Sequence, residues 1–162
     1  MIGDSTAWPF GKRNALLAIT VGGSIAGVVA LLHASIQSGW DIPLTIAEGL
    51  IGSKAEHGGV GTYLLGVFLH FFIAFTAAAV YYTASRRLSF LKEHPLVCGL
   101  YYGATIQLVM HLIVFPLCAF HESNPIPIHE LLLGMLYKMV EVGLPISYSV
   151  RRFAKARDDI YV

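Results

Sequence analysis

Apolar residues in this chain come in long unbroken runs, and polar positions gather in the short stretches between them. That is not the three- and four-residue spacing of a helix with one wet face. Four runs, at residues 15–37, 61–84, 95–120 and 128–150, approach the ~20 residues that cross a hydrocarbon layer of ~30 Å. The pattern predicts an all-α fold, a four-transmembrane-helix bundle. The runs take up most of the chain, so residues 1–162 are expected to form a single integral-membrane helical domain. Composition agrees: 56% of residues are hydrophobic, 13% are charged, and the mean hydropathy is +0.65. The formal net charge of +1 gives no sign of nucleic acid as a partner; the expected partner is the lipid bilayer.

Charge enters the picture through its placement. Lys12 and Arg13 precede the first run, Arg86, Arg87 and Lys92 lie between the second and third, and Arg151, Arg152, Lys155 and Arg157 follow the fourth. The opposite connections hold only Lys54. Cations near helix ends stay on the cytoplasmic side, so both termini are expected to be cytoplasmic, with the connections Trp40 to Val60 and His121 to Ile128 outside. The first run exceeds the ~7–15 apolar residues of a secretion signal and is read as a true span. Cys98 and Cys118 fall on one helix about 30 Å apart at ~1.5 Å per residue. They cannot bridge each other and are read as packing residues.

Small and polar residues repeat at helical spacing inside the runs. Gly22, Gly23, Ala26, Gly27 and Ala30 form a stripe that lets helix backbones approach closely, read as a seam within the chain. Gly99, Gly103, Gln107 and His111 recur every four residues, so they share one inward helix face. Pro116 follows, where a missing backbone donor kinks a helix or frees a carbonyl. In the fourth run, Lys138 and Glu141 are neighbours on one turn.

Counting inward from the outer ends at ~1.5 Å per residue puts His70 and His111 at about 13 Å, Lys138 at about 15 Å, and Gln107 and Glu141 at about 20 Å. A charge at the bilayer centre costs roughly 2.5–3.5 kcal/mol on insertion scales, so Lys138 and Glu141 are expected to pair. His70, Gln107, His111, Lys138 and Glu141 are therefore the buried polar candidates. His33, His57, His121, Glu122, His129 and Glu130 lie toward the outer side and are candidates for a mouth. A metal site built from His121, Glu122, His129 and Glu130 is not expected, because the spacing fits no helical zinc motif and prolines interrupt it.

The stretch from Gln107 to Leu117, read as QLxxHxxxFPL, resembles a segment of the YagU-like family of uncharacterised bacterial inner-membrane proteins. Ile25 to Val29 leading into Asp41 to Leu44, the single His70 in the second run, the Gly103-Ala104 step and a late acidic residue before Arg151-Arg152 are similar to the same pattern. The Trp40 to Gly61 connection is shorter than the family's usual one, and Lys138 departs from its pattern. The resemblance implies a small helical fold in the bacterial inner membrane and supplies no activity or cofactor.

Three kinds of function fit these residues. Histidine, with an unperturbed pKa of ~6.5, suits proton or ion handling at His70 and His111, with Lys138 and Glu141 relaying or gating. Their matched depth also suits a b-type haem or a quinone held between two helices, although the cations that haem propionates favour lie at the other side. Alternatively the polar layer fixes helix register in a structural or accessory subunit, a homo-oligomer or a larger membrane complex. No Gly-rich phosphate loop, nucleophile elbow or hydrolytic carboxylate pair is present, so an enzyme is not expected.

Overall fold

The computed structural model describes residues 10–55, 57–118 and 127–155, with side chains over 13–153 of these. Every regular element among the described residues is helical: α1 (Phe10–Ser38), α2 (Ile42–Ile51), α3 (Val60–Ser85), the single turn α4 (Phe90–Glu93), α5 (Pro95–Leu117) and α6 (Ile128–Phe153). The helices α1, α3, α5 and α6 are long and apolar enough to cross a membrane. Their bounds follow the four apolar runs to within a few residues, and residues 119 and 120 of the third run lie outside the described residues.

Size decides what is inside. The buried positions belong mainly to small residues, among them Ala18, Ala26, Ala30, Ala77 and Ala78, joined by Tyr81, Ile146 and Val150. Large apolar side chains such as Leu32, Phe68, Phe72, Leu112, Leu117 and Leu136 point outward. A surface of that kind is tolerated in water only as isolated patches of a few hundred Å². In lipid it costs nothing, and close packing of small residues replaces the hydrophobic effect as the force between helices.

The α1 helix packs along both α3 and α6, and α6 packs also along α5. The stripe on α1 serves these seams, as the sequence pattern expects. Gly22 faces Ile146 and Ser149 of α6, while Gly23 and Gly27 face Phe75, Phe71 and Ala74 of α3. Ser149 Oγ donates to the Ala18 carbonyl at 3.0 Å, fixing the register of the first seam. Between α5 and α6 the backbones touch: a Cβ at Gly103 would run into the Lys138 carbonyl, and one at Gly143 into the Gly99 carbonyl. The inward face predicted for α5 is therefore its face toward α6. By contrast, α3 and α5 share no packed seam. They meet through tyrosines, with the Tyr81 and Tyr102 rings 4.9 Å apart and Tyr102 OH donating to the Ala77 carbonyl at 2.7 Å.

The connection from Trp40 to Val60 is not a simple outer loop, because it contains α2 and a further 3-10 turn, Gly52–Ala55. The α1 helix stops at Ser38, where Gly39 takes φ 98°, and the chain re-enters a helix at Ile42 with Pro43 in its first turn. Pro43 sits so close to α3 that any side chain at Gly66 would overlap its carbonyl. Ten residues are too few to read as a crossing. Their burial against α3 shows only in three dimensions.

Candidate functional site

Two helix distortions position the polar side chains. In α5 the segment Met110–Val114 is a π-helical turn, with the Phe115 N–H donating to the Met110 carbonyl. In α6 the segment Met139–Gly143 is another, with the Leu144 N–H donating to the Met139 carbonyl. Each turn is followed, one residue beyond its closing donor, by a proline: Pro116 and Pro145. Proline brings no N–H, and its ring presses on the carbonyl four residues back. Widening the preceding turn by one residue relieves that contact. π turns are rare and cluster at functional positions. These two carry His111 and Glu141.

Glu141 is buried, with 7% of its surface exposed, at the meeting of α1 and α6. Its Oε1 is in direct contact with Nδ1 of His33 from α1, and its Oε2 stands 3.5 Å from Nζ of Lys138 one turn earlier. The second contact is an ion pair without hydrogen-bond alignment, since Oε2 has no hydrogen-bond partner among the described residues. The His33 and Lys138 side chains are each 28% exposed, so both partners of the buried carboxylate reach the bundle surface. The Tyr137 ring lies 4.4 Å from that of His33, tilted by 59°, and holds the imidazole from the side.

The pairing of Lys138 with Glu141 is the one expected from their spacing. The partner His33 is one that counting from helix ends does not suggest, because it puts His33 among the outer-side residues and Glu141 deeper. At ~1.5 Å per residue, Glu141 lies about 20 Å from the start of α6 and His33 about 7 Å from the end of α1. Their contact requires the two ends to be offset by about 12 Å. The break at Gly39 explains this, since α1 stops early and α2 takes the chain onward.

His70 on α3 turns its ring toward α1, with Nε2 2.9 Å from the Gly27 carbonyl. Gly27 allows this because it lacks a side chain where Phe71 and Ala74 of α3 pack. On α5, the Gln107 side chain lies against Gly134 of α6, filling the space that a larger residue would take. His111 packs its ring edge on Phe115, 5.4 Å between centroids, and its Nδ1 is buried without a hydrogen-bond partner among the described residues. The helices bearing His70 and His111 share no packed seam.

His57 is exposed, and the His129–Glu130 contact, 3.9 Å with both side chains mostly exposed, is a solvent-screened pair of little energetic weight. His121 and Glu122 lie outside the described residues. Among the described residues no three His, Cys, Asp or Glu side chains gather as metal ligands. The sequence pattern also gave no signal for Tyr137 or for the Gly27 carbonyl as the partner of His70.

Comparison with protein-family models, with curated proteins and with solved structures gives no match. The resemblance to the YagU-like family therefore stands on the residues quoted for it.

Proposed function

We propose that this chain is a non-enzymatic, four-span membrane protein of the bacterial inner membrane, with both termini cytoplasmic, that exchanges protons at the Glu141–His33 couple. The observation that carries the proposal is a buried carboxylate in contact with an imidazole from a second helix and paired with an ammonium from its own. A carboxylate accepts hydrogen bonds only, so one proton lies between Nδ1 and Oε1 whichever group holds it. Passing that proton across is the elementary step of a relay. Imidazole is suited to it near neutral pH, and ionisable groups inside spans are by default functional candidates.

A purely structural pin needs one pair. Here two basic groups share a single carboxylate, so the net charge of the site changes whenever His33 gains or loses a proton. Lys138 places a second basic group 3.5 Å from the same carboxylate, and His33 is only partly covered by the bundle. The cations that flank the spans support the orientation, and the resemblance to the YagU-like family supports the location. A haem between His70 and His111 is not favoured, because Nε2 of His70 is engaged by the Gly27 carbonyl.

The test is proton flux in proteoliposomes loaded with a pH-sensitive dye and driven by a potassium diffusion potential. The wild-type chain is expected to acidify or alkalinise the lumen faster than empty liposomes, and Glu141→Gln, which keeps the shape, is expected to return the rate to the empty baseline. Equal rates for the wild type and Glu141→Gln would refute the proposal. A Soret band in the absorption spectrum of the purified protein would favour haem instead.

A further inference from the structure

A groove of about 600 Å³ opens between α3 and α5 at the end of the bundle where the short connection through α4 joins them. Its walls are Val80, Tyr81, Leu88, Val97, Tyr101 and Tyr102, and its lining is almost wholly apolar. It exists because the two helices lack a packed seam and are held apart by the Tyr81 and Tyr102 rings.

Most polar side-chain atoms in these walls are already engaged. Tyr81 OH donates to the Leu91 carbonyl at 3.1 Å, Tyr102 OH to the Ala77 carbonyl at 2.7 Å, and Thr105 Oγ1 to the Tyr101 carbonyl at 2.9 Å. Cys98 Sγ points to the Phe90 carbonyl at 3.7 Å. An occupant between the helices therefore finds few donors or acceptors to satisfy, the Tyr101 hydroxyl and the His94 ring standing toward the edge, which suits a hydrocarbon chain and disfavours a polar ligand. The volume falls within the roughly 300–1,000 Å³ of ligand clefts.

The mouth has a different character. The connection that closes the groove carries Arg86, Arg87 and Lys92 against the single carboxylate of Glu93, with His94 on the rim. The Arg86 and Arg87 residues are exposed. Apolar walls ending at a cationic rim match one kind of molecule, in which an acyl chain is joined to an anionic headgroup. We propose that this groove binds one anionic phospholipid, its acyl chain between α3 and α5 and its phosphate beside Arg86 and Arg87. Basic rims between membrane helices select acidic lipids in this way. The inference rests on the membrane reading of the chain and is independent of proton exchange at Glu141.

Native mass spectrometry of the full chain, released from nanodiscs of equal phosphatidylglycerol and phosphatidylethanolamine, tests it. The wild type is expected to retain one phosphatidylglycerol in preference to phosphatidylethanolamine. Replacing both cations (Arg86→Gln with Arg87→Gln) should lower that preference roughly thirtyfold, which ~1 kcal/mol for each cation near an anionic headgroup implies. Val97→Trp, at an exposed wall position, should lose both lipids by filling the groove, and Ala84→Phe should do the same from the α3 side. An unchanged preference in the double Arg variant, or full lipid retention in both groove-filling variants that remain monodisperse, overturns the proposal. A wild-type chain that fractionates without membranes would instead refute the membrane reading.

Discussion

Glu141 has two basic partners, and this makes the cost of removing them strongly non-additive. Lys138→Met leaves the carboxylate with His33, and His33→Gln leaves it with Lys138. Each single change removes one charged contact, worth roughly 1.5–3 kcal/mol before the other partner adjusts. The lower end is expected, because the removed side chains are partly exposed and the remaining partner still faces Glu141. Removing both leaves a buried carboxylate with no counter-charge, which must stay ionised in a poor medium or take up a proton. Breaking buried pairs costs about 3–5 kcal/mol, and membrane insertion scales put an isolated charge at roughly 2.5–3.5 kcal/mol. With the middle of the first of these ranges, about 4 kcal/mol, against two single losses of about 1.5 kcal/mol each, the double variant should lose about 1 kcal/mol beyond the two together. Adding Glu141→Gln to the double variant should recover most of that excess, since no buried charge remains. Unfolding in detergent micelles gives the free energies, and the coupling comes from comparing singles, double and triple. If the double variant costs no more than its parts, or the triple variant is no more stable than the double, His33, Lys138 and Glu141 do not form one charge cluster.

Three other outcomes follow from the geometry. Gly103→Ala should destabilise the bundle by about 1–3 kcal/mol because its Cβ meets α6 backbone, whereas Gly61→Ala, with nothing within 4 Å, should be neutral in the same melt. Pro145→Ala restores a donor four residues after Glu141 and should let the π turn close to an ordinary α turn, turning the carboxylate off His33; retained flux and an unchanged His33 nitrogen signal by NMR would show that packing, not the proline, holds the turn. Reporters fused after Val162 and within the segment from Ser89 to Glu93 should both read cytoplasmic, and an external reading at either place would break the charge-based orientation.

The parts of this fold that depend on one helix at a time were legible in the sequence. Span positions follow from run length, the glycine seams from four-residue repeats, and the Lys138–Glu141 pair from its place on a single turn. Contacts that depend on how far one helix slides past another were not. His33 and Glu141 each lie at a depth that counting along their own helix gives well enough, but the offset between α1 and α6 is set by the break at Gly39 and the packing of Pro43 on Gly66. Neither event leaves a mark near His33. The π turns are an intermediate case: Pro116 and Pro145 announce a distortion, yet the choice between a kink and a widened turn depends on which carbonyl neighbouring helices can accommodate.

The proline positions link that backbone choice to the chemistry. A π turn shifts the side chains before it by one register position relative to those after it, so residues on one helix can face different neighbours on its two sides. In α6 the residues beyond the turn, Ile146, Ser149 and Val150, remain in the tight seam with α1, where Gly22 lies against Ile146 and Ser149. Within and before the turn, Glu141 and Tyr137 meet His33 although Gly103 of α5 also presses on the Lys138 and Met139 backbone. An unbroken α-helix would have to satisfy both seams with one face. The widened turn lets α6 pack on α1 with small residues at one end and present a carboxylate to the same helix at the other. A second widened turn stands before Pro116 in α5, and it holds His111 with a buried nitrogen that has no hydrogen-bond partner among the described residues. Helix breaks of this kind recur where membrane helices need backbone or side-chain groups to face a polar path rather than lipid. The two π turns thus mark where the backbone departs from the regular α-helix beside a buried carboxylate and a buried imidazole nitrogen.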